Sequence, residues 1–435
     1  MRSFSADLNR RHFLASGSLA IASLAGRPAA AATGGYPKGF LWGAATAAHQ
    51  VEGNNINSDL WVLENIRPTM YAERSGDACD HYHRYRDDIR LLAGLGFNTY
   101  RFSIEWARIE PERGFFSNAE LEHYRRVLAC CQENNLTPMV TFYHFTMPRW
   151  LAAIGGWENP ESVDLFARYC ERSAKHLGDL IAIASTLNEP NISLLLPWIK
   201  MFKPSVSAEE VSKAAARAVG SDRFSSMLFG SGGDITDHLI AAHHRGSAAM
   251  KSGPGKYPVG VNVAMSDDQA VGADNKRDEK RRSVYGPWMA AAAKSDYIGV
   301  QTYTRSRVGK DGDLAAEEGV ELTDMGYEFW PEALEQTIRY AHEQAKVPVY
   351  VTENGIGTGN DERRVEYIRR ALAGVQNCLR DGIDVRGYVH WSLLDNFEWI
   401  FGYRPKFGLV AVNRETQERT VKPSARYLGE IARRS

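Results

Sequence analysis

Eight strand-like, mostly apolar runs recur along the chain, and segments of helical period separate them. The runs are FLWGAATAA from residue 40, NTYRFSIEW from 98, TPMVTFYHF from 137, IAIASTLNE from 181, YPVGVNVAM from 257, DYIGVQTYT from 296, VPVYVTENG from 347 and VRGYVHWSLL from 385. Before the third run, one face of a predicted helix carries Leu121, Tyr124, Leu128 and Cys131 at i, i+3, i+7 and i+10. Continuous apolar strands alternating with helices predict a parallel sheet covered by helices. Eight such units close into an α/β fold with a single (β/α)8 barrel of the TIM type.

A doubly wound open sheet is the structural alternative. Such sheets commonly carry a glycine-rich phosphate loop after the first strand, and FLWGAATAAHQVEG does not match GxGxxG. No short repeat, low-complexity tract or Gly/Ser linker divides the chain after its N-terminal segment. We therefore expect one barrel domain over residues 33–435.

The first 32 residues differ in character from the rest. They have a basic start, a mildly apolar Ala/Ser/Leu middle and small residues suited to cleavage near Ala31 or Ala32. Arg10-Arg11 before His12-Phe13-Leu14 resembles a twin-arginine export signal. The apolar middle is shorter than the ~20 residues of a membrane span, so no stable span is expected. This pattern predicts a removed signal, the twin-arginine translocation machinery as a partner, and a periplasmic or secreted protein; a disordered or anchoring N-terminus is the alternative.

Charge and cysteine content narrow the class of partner. Lys and Arg total 52 against 53 Asp and Glu, so the chain has no broad basic field for nucleic acid. The five cysteines show neither a CxxC pair nor zinc-type spacing. We expect no metal, no cofactor and a small neutral substrate.

Two glutamates end strand-like runs. Glu189 follows the fourth run in TLNEP, and Glu353 ends the seventh run in VTENG. In a closed barrel the carboxyl ends of these strands face each other across the mouth. Two opposed carboxylates of unequal environment are the equipment for glycosidic bond cleavage. Two structural acids at strand ends are the alternative.

Neighbouring residues favour a sugar site. Such sites combine few charges, planar rings and fixed hydrogen-bonding groups. Candidates of these types at the same mouth are Gln50, His144, Asn188, Tyr303, Trp391, Glu398 and Trp399.

These motifs together resemble glycoside hydrolase family 1, the retaining β-glucosidase family. FLWGAATAAHQVEG is similar to its N-terminal signature, TLNEP to its acid/base motif, VTENG to its nucleophile motif, and WSLLDNFEW with GYRPKFGLV to its sugar-binding segment. The resemblance covers residues 38 to 428 in the family's order. It implies a retaining β-glycosidase, in first place a β-glucosidase that hydrolyses terminal β-D-glucosyl residues through a covalent glycosyl-enzyme.

The resemblance also implies a role for each candidate residue. Glu353 would be the nucleophile and Glu189 the general acid/base. Glucose hydroxyls would be held by Gln50, His144, Asn188 and Glu398, with Trp391 and Trp399 packing about the ring. Arg101 and Tyr303 would lie beside Glu353 and favour its ionised form.

Three positions depart from the family pattern. The usual Asn-Tyr-Tyr of strand six is Gln301-Thr302-Tyr303, and Phe145 stands where a Trp often follows the sugar-binding His. The loop over residues 193–234 lacks the usual His-Ala-Pro-Gly stretch and carries Trp198, Ile199, Met201, Phe202, Met227, Leu228 and Phe229. Either an apolar leaving group or the core packing of a lid helix explains such a loop.

Several alternative functions stay open. The family's residues serve glucose, galactose and fucose epimers, and a sugar or alcohol acceptor could replace water in a transglycosidase. A non-catalytic sugar-binding protein is a distant alternative, because both glutamates are present. A phospho-glycosidase is disfavoured, since Glu398 would repel a sugar phosphate. Neither the natural aglycone nor the oligomeric state can be read from the sequence.

Overall fold

Eight parallel strands close into a barrel, which confirms the fold expected from the alternating sequence pattern. In chain order they are β1 (Leu41–Ala45), β2 (Thr99–Ser103), β3 (Thr137–Tyr143), β4 (Ile183–Asn188), β5 (Val259–Ala270), β6 (Ile298–Gly309), β7 (Val349–Asn354) and β8 (Val385–Trp391). The neighbour order is β5-β4-β3-β2-β1-β8-β7-β6, and pairing of β5 with β6 closes the ring. The structure is a computed structural model that describes residues 35–199, 206–228 and 235–435.

Helices cover the outside of the barrel. The long helices are His81–Gly94, Asn118–Glu133, Ser162–Leu177, Ala208–Val219, Thr236–Lys251, Ala333–Ala345, Asp361–Arg380 and Pro423–Arg434. Shorter α-helices span Ala48–Val51, Asp59–Asn65, Trp106–Ile109, Arg149–Ala153, Ile192–Leu195, Arg277–Lys280 and Gly286–Ala292. Single turns of other helix types occupy Gly156–Glu158, Gly178–Leu180, Leu196–Trp198, Arg281–Tyr285 and Trp399–Phe401.

The helix over Asn118–Glu133 shows how the sequence selects these elements. Ser117 caps its first turn by accepting a hydrogen bond from the backbone N–H of Glu120. The predicted apolar stripe is fully covered, since Leu121, Leu128 and Cys131 are all buried. The stripe packs toward the barrel, while the charged face stays in solvent.

Alternate strand residues point inward and fill the barrel. Met139, Ile183, Tyr350 and Val389 form one buried cluster, whereas their chain neighbours such as Val140 belong to the cluster shared with the helices. This alternation is the two-residue period of a strand expressed in a closed sheet. The packed interior holds the carboxyl ends of the strands rigidly at the mouth of the barrel.

Three small strands add to the barrel. Gly312–Asp313 pairs with the end of β6, and Val410–Val412 pairs with Arg419–Val421 as an antiparallel ribbon. The connection between β4 and β5 is long and carries the helices Ile192–Leu195 and Ala208–Val219 before the crossover helix. It leaves β4 directly after Glu189, so it stands over the mouth of the barrel.

The predicted signal over residues 1–32 lies outside the described residues, as do Met201, Phe202 and Phe229. Across residues 35–199, 206–228 and 235–435, no helix is long and apolar enough to cross a membrane. The same ranges contain no cluster of three metal-ligating side chains. All five cysteines are buried and none forms a disulfide with another.

Candidate active site

The two strand-end glutamates lie in the wall of one cavity. Glu189 follows the last residue of β4, and Glu353 is the penultimate residue of β7. The cavity has a volume of about 360 Å³ and opens at the carboxyl ends of the strands. The charge of Glu353 acts on Glu189 across this space. The barrel therefore brings together two carboxyls that are far apart in the chain.

The carboxylate of Glu353 accepts hydrogen bonds from two side chains. Nη1 of Arg101 lies 2.6 Å from Oε1, and the hydroxyl of Tyr303 lies 2.6 Å from Oε2. Burial raises the pKa of Glu353, while the guanidinium and the phenol both oppose that rise. Burial and the charge of Glu353 raise the pKa of Tyr303 well above its usual value, so the phenol stays a donor. These contacts favour the ionised form of Glu353.

Glu189 has no comparable support. Within the described residues, no side chain donates a hydrogen bond to its carboxyl. Burial, followed by the charge of Glu353, raises the pKa of Glu189 well above its usual value. The two carboxyls of the cavity therefore differ in their environments, and the proton is favoured on Glu189.

Asn188 presents a free donor to the cavity. Its Oδ1 accepts from Nη2 of Arg101 at 2.6 Å and from Nε2 of Gln301 at 2.8 Å. Its buried Nδ2 has no partner in the structure. An unpaired buried amide N–H is costly, so this group is poised to donate to a ligand hydroxyl.

Aromatic rings and a third carboxyl also line the cavity. The ring of His144 stacks near those of Trp391 and Trp399, with centroid distances of 5.7 Å and 6.0 Å. Burial lowers the pKa of His144 well below its usual value, and its Nδ1 has no partner. Burial and the charge of Glu353 raise the pKa of Glu398 to about 8. A neutral imidazole and a carboxyl beside two indoles suit a polyhydroxylated, uncharged ring.

Gln50 lies beside Glu398. It lies on the short helix Ala48–Val51, because the chain turns directly after β1. Its Nε2 donates to the carbonyl of Phe397 at 2.7 Å and to Oδ1 of Asn396 at 3.2 Å. Its Nε2 also lies 3.5 Å from Oε2 of Glu398, and its buried Oε1 has no partner in the structure. Its contacts orient the loop that carries Glu398.

The sequence matches the family model of glycosyl hydrolase family 1 over residues 32–283 and 283–435. The chain belongs to glycosyl hydrolase family 1. Beta-glucosidase A of Acetivibrio thermocellus is 30% identical over 437 residues, covering 91% of this chain and 98% of that protein. Beta-glucosidase A of Thermotoga maritima is 30% identical, with 92% and 98% covered.

Solved structures of family 1 enzymes superimpose closely on the barrel. The apo structure of a β-glucosidase matches with a TM-score of 0.88 and 50% identity, covering 91% of this chain and 98% of that one. The crystal structure of a β-glycosidase matches with a TM-score of 0.87 and 52% identity, covering 92% and 97%. The chain is accordingly an O-glycosyl hydrolase of this family.

Most of the family 1 residues expected from the sequence meet in the cavity. The residues that line it are His144, Asn188, Glu189, Tyr303, Glu353, Trp391, Glu398 and Trp399. Arg101 contacts Glu353, and Gln50 contacts Glu398 and the carbonyl of Phe397. The sixth apolar run ends one residue after Tyr303, whereas β6 continues to Gly309. The strand extension is held by pairing with β5 beyond the barrel.

Gln301 and Phe145, which depart from the family pattern, also line the cavity. Gln301 holds Asn188 through its Nε2, and Phe145 contacts the ring of Trp399 edge-on with centroids 5.3 Å apart. Of the apolar loop residues, Ile199 and Leu228 line the cavity, whereas Met227 is buried in the core and Trp198 packs against it. The loop thus contributes apolar side chains both to the cavity and to the core.

Other residues of the cavity were not predicted from the sequence. Tyr327 and Met325 come from the connection after β6, and Phe407 comes from the segment after β8. Phe407 stands inside GYRPKFGLV, so the resemblance to that segment could have flagged it. Tyr327 and Met325 lie in a connection without helical or strand period, where no local pattern marks a side chain as facing the site.

Proposed function

We propose that this chain is a retaining β-glucosidase that removes terminal β-D-glucosyl residues through a covalent glycosyl-enzyme. The proposal is supported by β-glucosidases among its family 1 relatives and by the two cavity carboxyls. The observation that carries the assignment of roles is the asymmetry of these carboxyls. Glu353 accepts hydrogen bonds from Arg101 and Tyr303, and Glu189 accepts none from a described side chain.

In the first half-reaction, Glu353 attacks C1 of the glucosyl ring as the carboxylate. Glu189 gives its proton to the departing oxygen, and the bond between C1 and that oxygen breaks. In the second half-reaction, Glu189 is a carboxylate that takes a proton from water, and the water oxygen displaces Glu353 from C1. Two displacements at C1 retain the β-configuration.

The remaining residues bind and orient glucose. Nδ2 of Asn188 donates to a ring hydroxyl, and Nδ1 or Nε2 of neutral His144 and the carboxyl of Glu398 exchange hydrogen bonds with other hydroxyls. Trp391 and Trp399 offer apolar faces to the C–H bonds of the ring. Arg101 positions both Glu353 and Asn188, because one guanidinium bonds to the two side chains.

The test is hydrolysis of 4-nitrophenyl β-D-glucoside, β-D-galactoside and β-D-fucoside by residues 33–435, beside Glu353→Gln and Glu189→Gln. Both variants are expected to lose at least 10³-fold in kcat on the glucoside, in keeping with the loss of a nucleophile or an acid/base group. Azide is expected to restore turnover of Glu189→Gln and to yield β-glucosyl azide, because a small anion needs no general base.

Other results would reject parts of the proposal. Retention of activity in Glu353→Gln, or an α-configured azide product, would overturn the assigned roles. Faster cleavage of the galactoside or fucoside than of the glucoside would leave a retaining glycosidase of different sugar preference. Products longer than the substrate would identify the transglycosidase alternative.

We also propose that residues 1–32 direct the folded enzyme through the twin-arginine machinery to the periplasm or medium. The proposal rests on Arg10-Arg11 and the short apolar stretch that follows. Arg10→Lys combined with Arg11→Lys is expected to keep the activity in the cytoplasmic fraction of a bacterial host. Equal export of the double variant and the wild type would refute it.

A further inference from the structure

We infer that Gln301 contacts the substrate directly and that its Oε1 accepts a hydrogen bond from the 2-hydroxyl of the glucosyl ring. The inference rests on the proposed β-glucosidase activity and adds a specificity-determining residue to it. Gln301 stands where the family pattern has Asn, so its longer side chain is a feature in which this chain departs from that pattern.

Gln301 lies beside the proposed nucleophile. In the pairing of β6 with β7 it stands opposite Glu353, and in the pairing of β6 with β5 it stands opposite Ala264. Tyr303, two residues further along the same strand, donates to Oε2 of Glu353. Gln301 is 1% exposed and lines the cavity. Its amide therefore borders the space in which Glu353 would reach C1.

The orientation of the Gln301 amide is set by a chain of hydrogen bonds that begins at Arg101. A guanidinium can only donate, so the Asn188 atom that lies 2.6 Å from Nη2 of Arg101 is the carbonyl oxygen Oδ1. The Gln301 atom that lies 2.8 Å from this oxygen must then be the donor Nε2. These bonds leave Nδ2 of Asn188 as a donor and Oε1 of Gln301 as an acceptor.

These two remaining amide groups are buried, and neither has a hydrogen-bond partner among the residues that the structure describes. An unpaired buried polar group destabilises the empty site, and a ligand that supplies the missing partner removes that cost. One hydroxyl can satisfy both groups, because it accepts through its oxygen and donates through its hydrogen. The pair is therefore suited to bind a single sugar hydroxyl.

The 2-hydroxyl is the group that this pair would meet. It is attached to the carbon next to C1, and C1 is the atom that Glu353 attacks in the proposed reaction. Asn188 directly precedes the proposed acid/base Glu189, and Gln301 stands opposite Glu353, so the two amides flank the reacting carbon. Hydrogen bonds to the 2-hydroxyl strengthen in the transition state of glycoside cleavage. The contact with Gln301 is accordingly expected to raise kcat as well as to assist binding.

The experiment compares kcat/KM for 4-nitrophenyl β-D-glucoside and 4-nitrophenyl 2-deoxy-β-D-glucoside, which share one leaving group. Gln301→Met keeps the length of the side chain and removes its polar atoms. It is expected to lower the ratio of the glucoside over the 2-deoxyglucoside at least threefold, because a net hydrogen bond is worth roughly two- to twelvefold. Turnover of the 2-deoxyglucoside shows that the variant is folded. Gln132→Met is the matched control, since Gln132 is exposed and lies outside the cavity lining, and its ratio is expected to equal that of the wild type.

Asn188→Ala separates a direct contact from an effect transmitted through Asn188. In this variant the bond from Nε2 of Gln301 is already absent, so a second substitution reports on Oε1 alone. Gln301→Met added to Asn188→Ala is expected to lower the ratio at least threefold further. A ratio equal to that of Asn188→Ala alone would overturn the direct contact.

The outcomes separate this contact from the proposed function. Hydrolysis of the glucoside with equal losses on the two substrates in Gln301→Met overturns the contact and leaves the β-glucosidase standing. Absence of glucoside turnover by the wild type rejects the β-glucosidase, and the contact falls with it.

Discussion

Tyr303→Phe isolates the hydrogen bond that favours ionised Glu353. The substitution removes one hydroxyl, which lies 2.6 Å from Oε2 of Glu353, and leaves the ring in place. A hydrogen bond to a charged group contributes about 1.5–3 kcal/mol. Because one pKa unit corresponds to about 1.36 kcal/mol, its loss is expected to raise the pKa of Glu353 by about one to two units.

The sign follows from which form the phenol stabilises. Tyr303 donates to the carboxylate, so it lowers the pKa of Glu353, and its removal raises that pKa. The proposed nucleophile is then protonated at a higher pH, and the acidic limb of the kcat/KM profile moves upward by about one to two units. The alkaline limb, which reports loss of the proton from Glu189, is expected to move less.

The assay is the pH profile of kcat/KM for 4-nitrophenyl β-D-glucoside from the wild type and the variant. Tyr327→Phe is the matched control, because Tyr327 lines the same cavity and, in the part of the chain that the structure describes, makes no hydrogen bond to Glu353. An acidic limb that stays in place in Tyr303→Phe, or that moves equally in Tyr327→Phe, would refute the reasoning.

Substitutions at two further positions test the buried carboxyl of Glu398 and the hydrogen bond from Gln301 to Asn188. Burial raises the pKa of Glu398 to about 8, above its value in the unfolded chain, so the stability from the neutral carboxyl is complete near pH 4 and lost as pH rises through about 8. Glu398→Gln is expected to match the wild type in thermal unfolding at pH 4 and to unfold at a higher temperature at pH 9; equal unfolding temperatures at pH 9 would contradict this. Gln301→Ala removes the 2.8 Å hydrogen bond to Asn188, worth about 1 kcal/mol, and is expected to lower kcat/KM for the glucoside about fivefold, with Gln301→Asn retaining more activity than Gln301→Ala. Equal activity of Gln301→Ala and the wild type would show that Arg101 alone positions Asn188.

The barrel strands are predictable from sequence because their burial is continuous. Each apolar run of the sequence contains the strand that the structure assigns. The ends of β5 and β6 are the exception, because Asp268 and Arg305 interrupt the apolar pattern there. The charged residues at these ends form ion pairs with residues outside the two strands. Nζ of Lys280, for example, lies 2.8 Å from Asp268. A local pattern cannot reveal a partner that the fold supplies.

The active-site residues differ in the same way: some stand in a local motif, and others are placed by contacts with distant segments. Glu189 and Glu353 are recognisable because each stands in a short motif at the end of a strand. The orientation of Gln50 depends on the carbonyl of Phe397, which is 347 residues away in the chain. The cavity lining likewise joins Leu196, Met325 and Ile400 from three separate connections. Contacts of this kind follow from the closed barrel and from no single segment.

Backbone conformation at the cavity shows what the rigid barrel makes possible. Phe145, Glu189 and Trp399 are non-glycine residues with φ of 70°, 45° and 47°, and all three line the cavity. Such a conformation costs about 1–3 kcal/mol for each residue and persists only where the surroundings hold it. At Glu189 the backbone N–H is fixed on the carbonyl of Asn262 in β5 at 2.9 Å. A chain that continued in the strand conformation would alternate its side chains between the barrel interior and the helices. The left-handed residue breaks this alternation directly after β4, and it lets consecutive residues Asn188 and Glu189 both face the substrate cavity.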